Sequence, residues 1–462
     1  MVVSFLIYRD LEPMANVVAS NAQLIARDEA HLLHSLHDAK LHGTGRVWVK
    51  GEGSIVTDAD GLEFIDGLSG LWAVTAGHGR RELAEAMSHQ AETLAYSSGY
   101  SGSSNPRAIE LAERLSLICY PSINHFFFTS GGSESTESSI KMARAYWKLL
   151  GKPDKTKVIS RVDAYHGTTL AAMSATGMSP YWPLFEPRVP GFLHIPSPYP
   201  YRYEASKGMS QGIAAANELE QAIQNEGADT VALFIAEPVQ GAGGVIVPQD
   251  DYFPRIRDIC SQYEVLLVAD EVITGFGRTG TLFALNHWGI EPDIVQFAKA
   301  VTSGYFPFGG IGVSDPIFEA LLEADRPWMH AYTYSAHPVG CAVALRTLQI
   351  IEDECFPEQA TVKGQYLSDA LTASLADHPH VGDIRGKGLM CAVELVQDKA
   401  SKTAFPTDQK VGIHINRQTI KRGLFSRIKE DTYLLAPPIV ITNEEMDRTV
   451  DILTKSVKAV LG

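Results

Sequence analysis

The chain has 462 residues, 45% of them apolar and 20% charged. That composition excludes disorder, collagen and coiled coil, and the length suits about three domains or one large α/β fold. Thirty-nine basic against 54 acidic side chains leave a net charge of −15, which argues against general binding to nucleic acid or anionic membrane and leaves small anionic ligands open. Five scattered cysteines form no disulfide framework and suit a reducing cytoplasm.

Along the chain, MVVSFLIY is apolar but lacks a basic n-region, and Arg9 and Asp10 end it. A secretory signal is not expected, and residues 1–13 read as a candidate disordered segment, with Met14 as an alternative start. No apolar run reaches the roughly 18 residues of a membrane span. His31, His34, His37 and His42 read as a solvated helix face, since no Cys or carboxylate cluster completes a metal site. Residues 46–66 alternate and turn like a small antiparallel hairpin. Candidate strands then follow at 125–129, 157–160, 192–195, 230–236, 264–269, 293–298 and 309–313. Helical spacing lies between several of them, as in Ile140, Ala143, Trp147 and Leu150. Near-continuous apolar strands alternating with helices predict a mostly parallel sheet covered on both faces. Residues 177–212, rich in Pro, Gly and Tyr, predict a long functional or interface loop. Beyond it, 358–376 reads as a helix, and 389–396 and 433–442 as strands of a second α+β unit.

Two local patterns mislead. GFGRTG at 275–280 fits a dinucleotide fingerprint, but no convincing helix follows it. GMSQG at 208–212 fits a nucleophile elbow, but no apolar strand precedes it.

Four other features converge. In FFFTSGGSESTESSIKMARAYW (126–147), a strand gives way at Gly131–Gly132 to a helix beginning near Ser133, a position suited to a phosphate. In Asp163–Gly167, Tyr165 could stack on a flat ring. In VLLVADEVITGFGRTG (265–280), Asp270 and Glu271 end a buried strand, where an acid needs a partner. In DIVQFAKAVTSGYFPFGG (293–310), Lys299 ends another apolar strand. Desolvation there favours the neutral amine, a Schiff-base nucleophile. Singly, each also reads as ordinary structure: a capped turn, a loop tyrosine, a structural acid, a snorkelling lysine. Together they are the groups pyridoxal phosphate needs.

At these residues the chain resembles the class III aminotransferases, the ω-transaminase group of fold type I pyridoxal-phosphate enzymes. The resemblance runs from GLWAVTAGHGR (70–80) through DEVITGFGRTG, Lys299 and TYSAHPVGCA (333–342) to LLAPPIVIT (434–442). It implies a large domain with a mostly parallel sheet (76–340) and a small α+β domain from both chain ends (1–75 and 341–462). It also implies that Lys299 carries the cofactor, that Asp270 faces the pyridine nitrogen and that Tyr165 and His166 adjoin the ring. Val272 or Ile273 would touch the ring's other face, Gly132 and Ser133 would hold the phosphate, and Glu237 would lie nearby. Thr333 would reach the phosphate of a partner subunit in a homodimer with shared sites, which could associate further to a tetramer. Trp72, Tyr100 and Tyr165 would line the substrate pocket, and Arg427 would bind a substrate carboxylate. Trp72 and Tyr100 could equally be core, Arg427 a surface arginine, and Thr333 part of a loop packed within one subunit.

The implied activity is transfer of an amino group from an amine or ω-amino acid to a keto acid such as pyruvate, by a ping-pong mechanism. An aminomutase or racemase of the same family, or a cofactor-binding regulator without turnover, are the alternatives. The chain departs from the family's usual residues at Ala300, Ser135 and Ala336, where Gly, Ala and Gly are usual.

Overall fold

The computed structural model describes residues 20–36, 45–100 and 102–462. The candidate disordered segment 1–13, His37 and His42 lie outside the described residues. The chain opens with helix Asn21–His31 and a three-stranded meander, β1 (Trp48–Glu52), β2 (Ile55–Asp58) and β3 (Glu63–Asp66). Seven strands follow: β4 (Ile123–Thr129), β5 (Lys157–Arg161), β6 (Phe192–Ile195), β7 (Val231–Ala236), β8 (Leu266–Asp270), β9 (Ile294–Ala298) and β10 (Gly309–Ser314). They form one sheet in the order β4-β10-β9-β8-β7-β5-β6. All ladders are parallel except those of β10, which runs antiparallel to both β4 and β9. Every residue of β7, β8 and β9 is buried, as expected of strands covered on both faces.

This topology positions the site. Strands β9, β8, β7 and β5 run side by side in one direction, and β4 runs parallel to them across β10. Their carboxyl ends, with the turns that follow, therefore share one edge of the sheet, where α/β folds bind ligands. Lys299, Asp270, Glu237, the segment 163–167 and Gly131–Gly132 all arrive at that edge.

The chain ends meet. β11 (Val381–Gly386), β12 (Cys391–Leu395), β14 (Arg427–Lys429) and β15 (Thr432–Leu435) form an antiparallel sheet ordered β11-β12-β15-β14. β13 (Leu424–Phe425) instead pairs parallel with β3, joining C-terminal to N-terminal chain. Strand β15 is shorter than the predicted 433–442, because Pro437 and Pro438 cannot donate to a ladder. Five helices longer than ten residues lie outside the predicted elements: Arg81–Leu94, Pro106–Ile118, Pro338–Asp353, Val411–Lys421 and Asn443–Leu461.

The misleading patterns have structural explanations. Ser210 of GMSQG is the N-cap of helix Gln211–Glu226, accepting from the Ile213 N–H at 3.2 Å. In GFGRTG, Gly277 has φ +100°, and an added Cβ would lie 3.2 Å from Phe356 Cβ. Buried Arg278 donates to the Pro437 and Leu389 carbonyls and to Ser69 Oγ, tying the middle of the chain to both ends. The ring of His34 sits 2.6 Å from Asp28. Among the described residues no group of three or more His, Cys, Asp or Glu side chains could hold a metal ion, and no helix is long and apolar enough to cross a membrane.

Candidate active site

A cavity of about 150 Å³ opens at the shared sheet edge, lined by Gly132, Ser133, Tyr165, His166, Gly167, Glu237, Asp270, Val272, Ile273 and Lys299. Nine of these are residues that the resemblance assigns to the cofactor. Gly167 is the addition. Its φ of +134° and the 2.6 Å from a notional Cβ to Ser133 Oγ admit only glycine. A glycine directly after Tyr165–His166 was the available signal.

Lys299 begins a tight 3₁₀ turn after β9 in the left-handed region, at φ 49°. Part of its side chain faces the cavity, and burial lowers its pKa to about 8, against the opposing pull of Asp270 and Glu237. Asp270, 3% exposed, is held from two directions. His166 Nδ1 lies 2.7 Å from Oδ2, and the Val272 N–H donates to Oδ1 at 3.1 Å. His166 is itself fixed: its N–H donates to Thr176 Oγ1 and its carbonyl accepts from Thr136 Oγ1. With Nδ1 committed to the carboxylate, the pair keeps Asp270 oriented. Glu271 points away, accepting from Tyr120, Thr274 and two backbone N–H groups, and burial raises its pKa to about 7. Strand alternation separates the two adjacent acids: Asp270 faces the cavity and Glu271 the core.

At the opposite end, helix Gly132–Leu149 starts with no side-chain cap on Gly131. A Cβ on Gly132 would come 3.2 Å from Val272 Cγ1, so glycine leaves the backbone N–H groups of the first turn accessible to an anion. Ser133 Oγ accepts from the Thr168 N–H at 3.1 Å. Glu237 clamps two loops, with Oε1 accepting from the Tyr165 N–H at 3.0 Å and Oε2 from the Gly241 N–H at 2.9 Å. Burial raises its pKa. Tyr165 packs edge-on to Tyr181, with ring centroids 5.6 Å apart.

Four nominated residues lie outside the cavity lining. Arg427, half-buried on β14, is close enough for its charge to oppose the burial-driven rise in the Tyr165 pKa and to add to the lowering at Lys299. Trp72, 2% exposed, packs in an apolar cluster with Ile273, Leu68 and Val239. Tyr100 is 55% exposed. Thr333 is exposed, and its carbonyl accepts from Tyr96 Oη at 2.9 Å. The segments carrying Tyr100 and Thr333 are neighbours, joined by the Asn105 side chain donating to the Ala336 carbonyl at 2.9 Å.

The donor set fits pyridoxal phosphate: an amine of lowered pKa, a buried carboxylate held by an imidazole, an aromatic and two aliphatic walls, and an uncapped helix start behind two glycines. The comparison with known families decides the matter, because the sequence model for "Aminotransferase class-III" matches residues 38–457. The chain belongs to the class III aminotransferases. It is 38% identical over 445 residues to the putrescine–pyruvate aminotransferase of Pseudomonas aeruginosa, covering 96% of this chain and 97% of that one. It is also similar to the diaminobutyrate–2-oxoglutarate transaminase of Halomonas elongata, 39% identical over 94% of this chain and 95% of that one. Among solved structures, an (S)-enantioselective ω-transaminase from Thermomicrobium roseum superposes with a TM-score of 0.92 at 49% identity, covering 96% of this chain and all of its own. The ω-transaminase of Pseudomonas jessenii, solved in complex with PMP, superposes at 0.91 with 38% identity, covering 95% and 98%. The aminotransferase is therefore a pyridoxal-phosphate enzyme of fold type I and an ω-transaminase.

Two of its departures from the family's usual residues have visible consequences. Ser135 Oγ lies 2.9 Å from Thr129 Oγ1 and donates to the Phe297 carbonyl, bridging β4 and β9. Ala336 adopts φ 55°, a conformation in which glycine is less strained.

Proposed function

We propose that this ω-transaminase uses Arg427 to bind the carboxylate of a keto acid such as pyruvate and takes its amino group from an uncharged amine or an ω-amino acid. One observation carries the reading. Arg427 lies near Lys299 and Tyr165, yet its guanidinium has no hydrogen-bond or ion-pair partner among the described residues. A half-buried arginine without a carboxylate is suited to receive one from a ligand, in bidentate geometry. The putrescine–pyruvate relative supports this acceptor class.

When bound, the cofactor supplies the electron sink that stabilises negative charge at the amine carbon. The chain's residues do the rest. Lys299 Nζ would hold the cofactor covalently and, when free, would carry a proton to and from the reacting carbon. Asp270 holds a proton at the ring nitrogen, and His166 keeps that carboxylate oriented. Tyr165 would cover the ring, Val272 and Ile273 would exclude water, and Gly132 and Ser133 would receive the phosphate. Trp72, in one apolar cluster with Ile273, would shape the substrate side. Arg427→Ala is expected to raise the apparent dissociation constant for pyruvate about ten- to a hundredfold, the worth of a charged hydrogen-bonded contact. An uncharged amine in the first half-reaction should be spared. Equal damage to both half-reactions, measured by single-turnover spectrophotometry, would assign Arg427 a structural role.

The same reading includes a cytoplasmic homodimer with shared sites, divided at residues 75 and 340. The pairing of β13 with β3 supports a small domain built from both ends. Tyr96, Tyr100, Met329 and Tyr334 are exposed around Thr333, and an apolar surface of this kind suits burial by a second copy. Thr333→Ala should lower cofactor affinity while leaving Lys299 able to react. Removing the cofactor should weaken the dimer in sedimentation experiments. A fully active monomer at assay concentration would refute the sharing.

A further inference from the structure

We propose that the ion pair between Lys429 and Asp163 is a latch that positions Arg427 for its carboxylate, making both residues determinants of the keto-acid half-reaction. The proposal rests on the assignment of Arg427 to carboxylate recognition.

The argument begins with β14, which is three residues long and lies at the edge of its sheet, bonded only to β15. Successive side chains of a strand alternate between faces, so Arg427 and Lys429 project from the same one. Lys429 Nζ lies 2.8 Å from Asp163 Oδ1, with the two side chains 19% and 31% exposed. Asp163 is a firm anchor. Its φ is 61°, its N–H donates to the Gly177 carbonyl, and its own carbonyl packs so closely on Gly243 that a Cβ there would come within 2.2 Å. Two residues on is Tyr165, in the cavity wall and held by Glu237.

One end of the short strand is thus pinned to the wall of the site, and the other end carries a guanidinium with no partner of its own. The far edge of the same sheet is tied down as well. Arg385 on β11 donates to the Gly244 and Val245 carbonyls at 2.9 and 3.1 Å, and pairs with Asp383 and Glu394 at 2.8 Å each. The sheet bearing Arg427 is therefore held at both edges, and the edge nearest Arg427 depends on Lys429. Two other acids lie near Lys429: Glu430 is farther, at 3.9 Å, and 81% exposed, and buried Glu394, whose charge Lys429 also favours, is already paired with Arg385 and Arg202. Small displacements matter because recognition of a planar carboxylate by arginine depends on direction as well as distance.

The test compares Lys429→Met, Asp163→Asn, their double variant and Lys429→Arg as holoenzymes, with the two half-reactions measured separately. Asparagine is chosen because it tolerates the left-handed backbone at 163. Each single variant should raise the apparent dissociation constant for pyruvate about two- to fivefold, the range for a partly exposed pair. The rate with an uncharged amine should stay within about twofold. The double variant should be no worse than the worse single, since both remove one interaction, and Lys429→Arg should restore the wild-type constant. Equal losses in both half-reactions, or additive losses in the double variant, would overturn the latch. So would an unchanged pyruvate constant in an enzyme whose Arg427→Ala variant is impaired. An Arg427→Ala variant with unchanged pyruvate affinity would instead overturn the carboxylate assignment, and the latch with it. If Lys429→Met fails to fold, Asp163→Asn and Lys429→Arg decide the outcome by the same criteria.

Discussion

Lys299→Ala is expected to lower turnover by roughly 10⁴-fold or more, since it removes both the covalent attachment and the proton carrier, and positioned acid–base groups alone are worth roughly 10²–10⁴-fold. Borohydride reduction of wild type followed by peptide mapping should place the pyridoxyl group on Lys299, and label elsewhere would refute the assignment. The lowered pKa of about 8 adds two pH signatures. The rate at which apoprotein takes up pyridoxal phosphate should rise through about pH 8, as the amine becomes neutral. Stability follows the same group. The unfolded chain binds a proton at Lys299 up to its ordinary value of 10.5, whereas the folded chain releases it near pH 8. The unfolded state therefore binds more protons between these values, and the apoprotein's stability gains from Lys299 as pH rises through that window. Below pH 8 the buried charge is destabilising, so Lys299→Met apoprotein should be the more stable at neutral pH, and its advantage should vanish above about pH 10.5. A pH-independent difference in melting temperature would show that the lysine is not desolvated.

Asp270→Asn should retain cofactor but lose roughly 10²–10⁴-fold in turnover. The amide preserves shape, yet it cannot hold a proton at the ring nitrogen, and it gives His166 Nδ1 a neutral acceptor in place of an anion. Because Nε2 of His166 is buried with no hydrogen-bond partner among the described residues, the ring has no second hydrogen bond through which to keep its orientation. His166→Gln should consequently reproduce part of the Asp270→Asn loss. Near-wild-type turnover in Asp270→Asn, measured in the steady state, would mean that the strand-end acid is structural.

Much of this site was legible because its reacting groups end buried strands. Charge-free runs such as Leu266–Ala269 and Ile294–Ala298 make the first charged residue beyond them conspicuous, and Asp270 and Lys299 are those residues. The sequence could not say that both ends lie on one edge beside Glu237 and Tyr165, since strand order is set by pairing between distant segments. Asp270 and Glu271 were also inseparable until the sheet faces were known. Helix Pro338–Asp353 escaped notice for a different reason. Eleven of its residues are buried, and a helix covered nearly all round has little polar face to set a period. Trp72 and Tyr100 illustrate the limit for single aromatics: one is buried in an apolar cluster with Ile273 and the other is exposed, a difference decided by the surrounding fold.

The hydroxyl of Ser69 donates to the Ala436 carbonyl across 367 residues of chain, and the edge of β3 is completed only by β13. A ribosome exposes the N-terminal meander long before it delivers the segment that closes that edge. Through most of synthesis, β3 presents unpaired backbone groups of the kind that invite pairing with other nascent chains. Contacts of such sequence separation also form slowly. Expression yield of this enzyme should therefore depend on how well the emerging N-terminal third is shielded, and chaperone supply should improve recovery more than any change at the site itself.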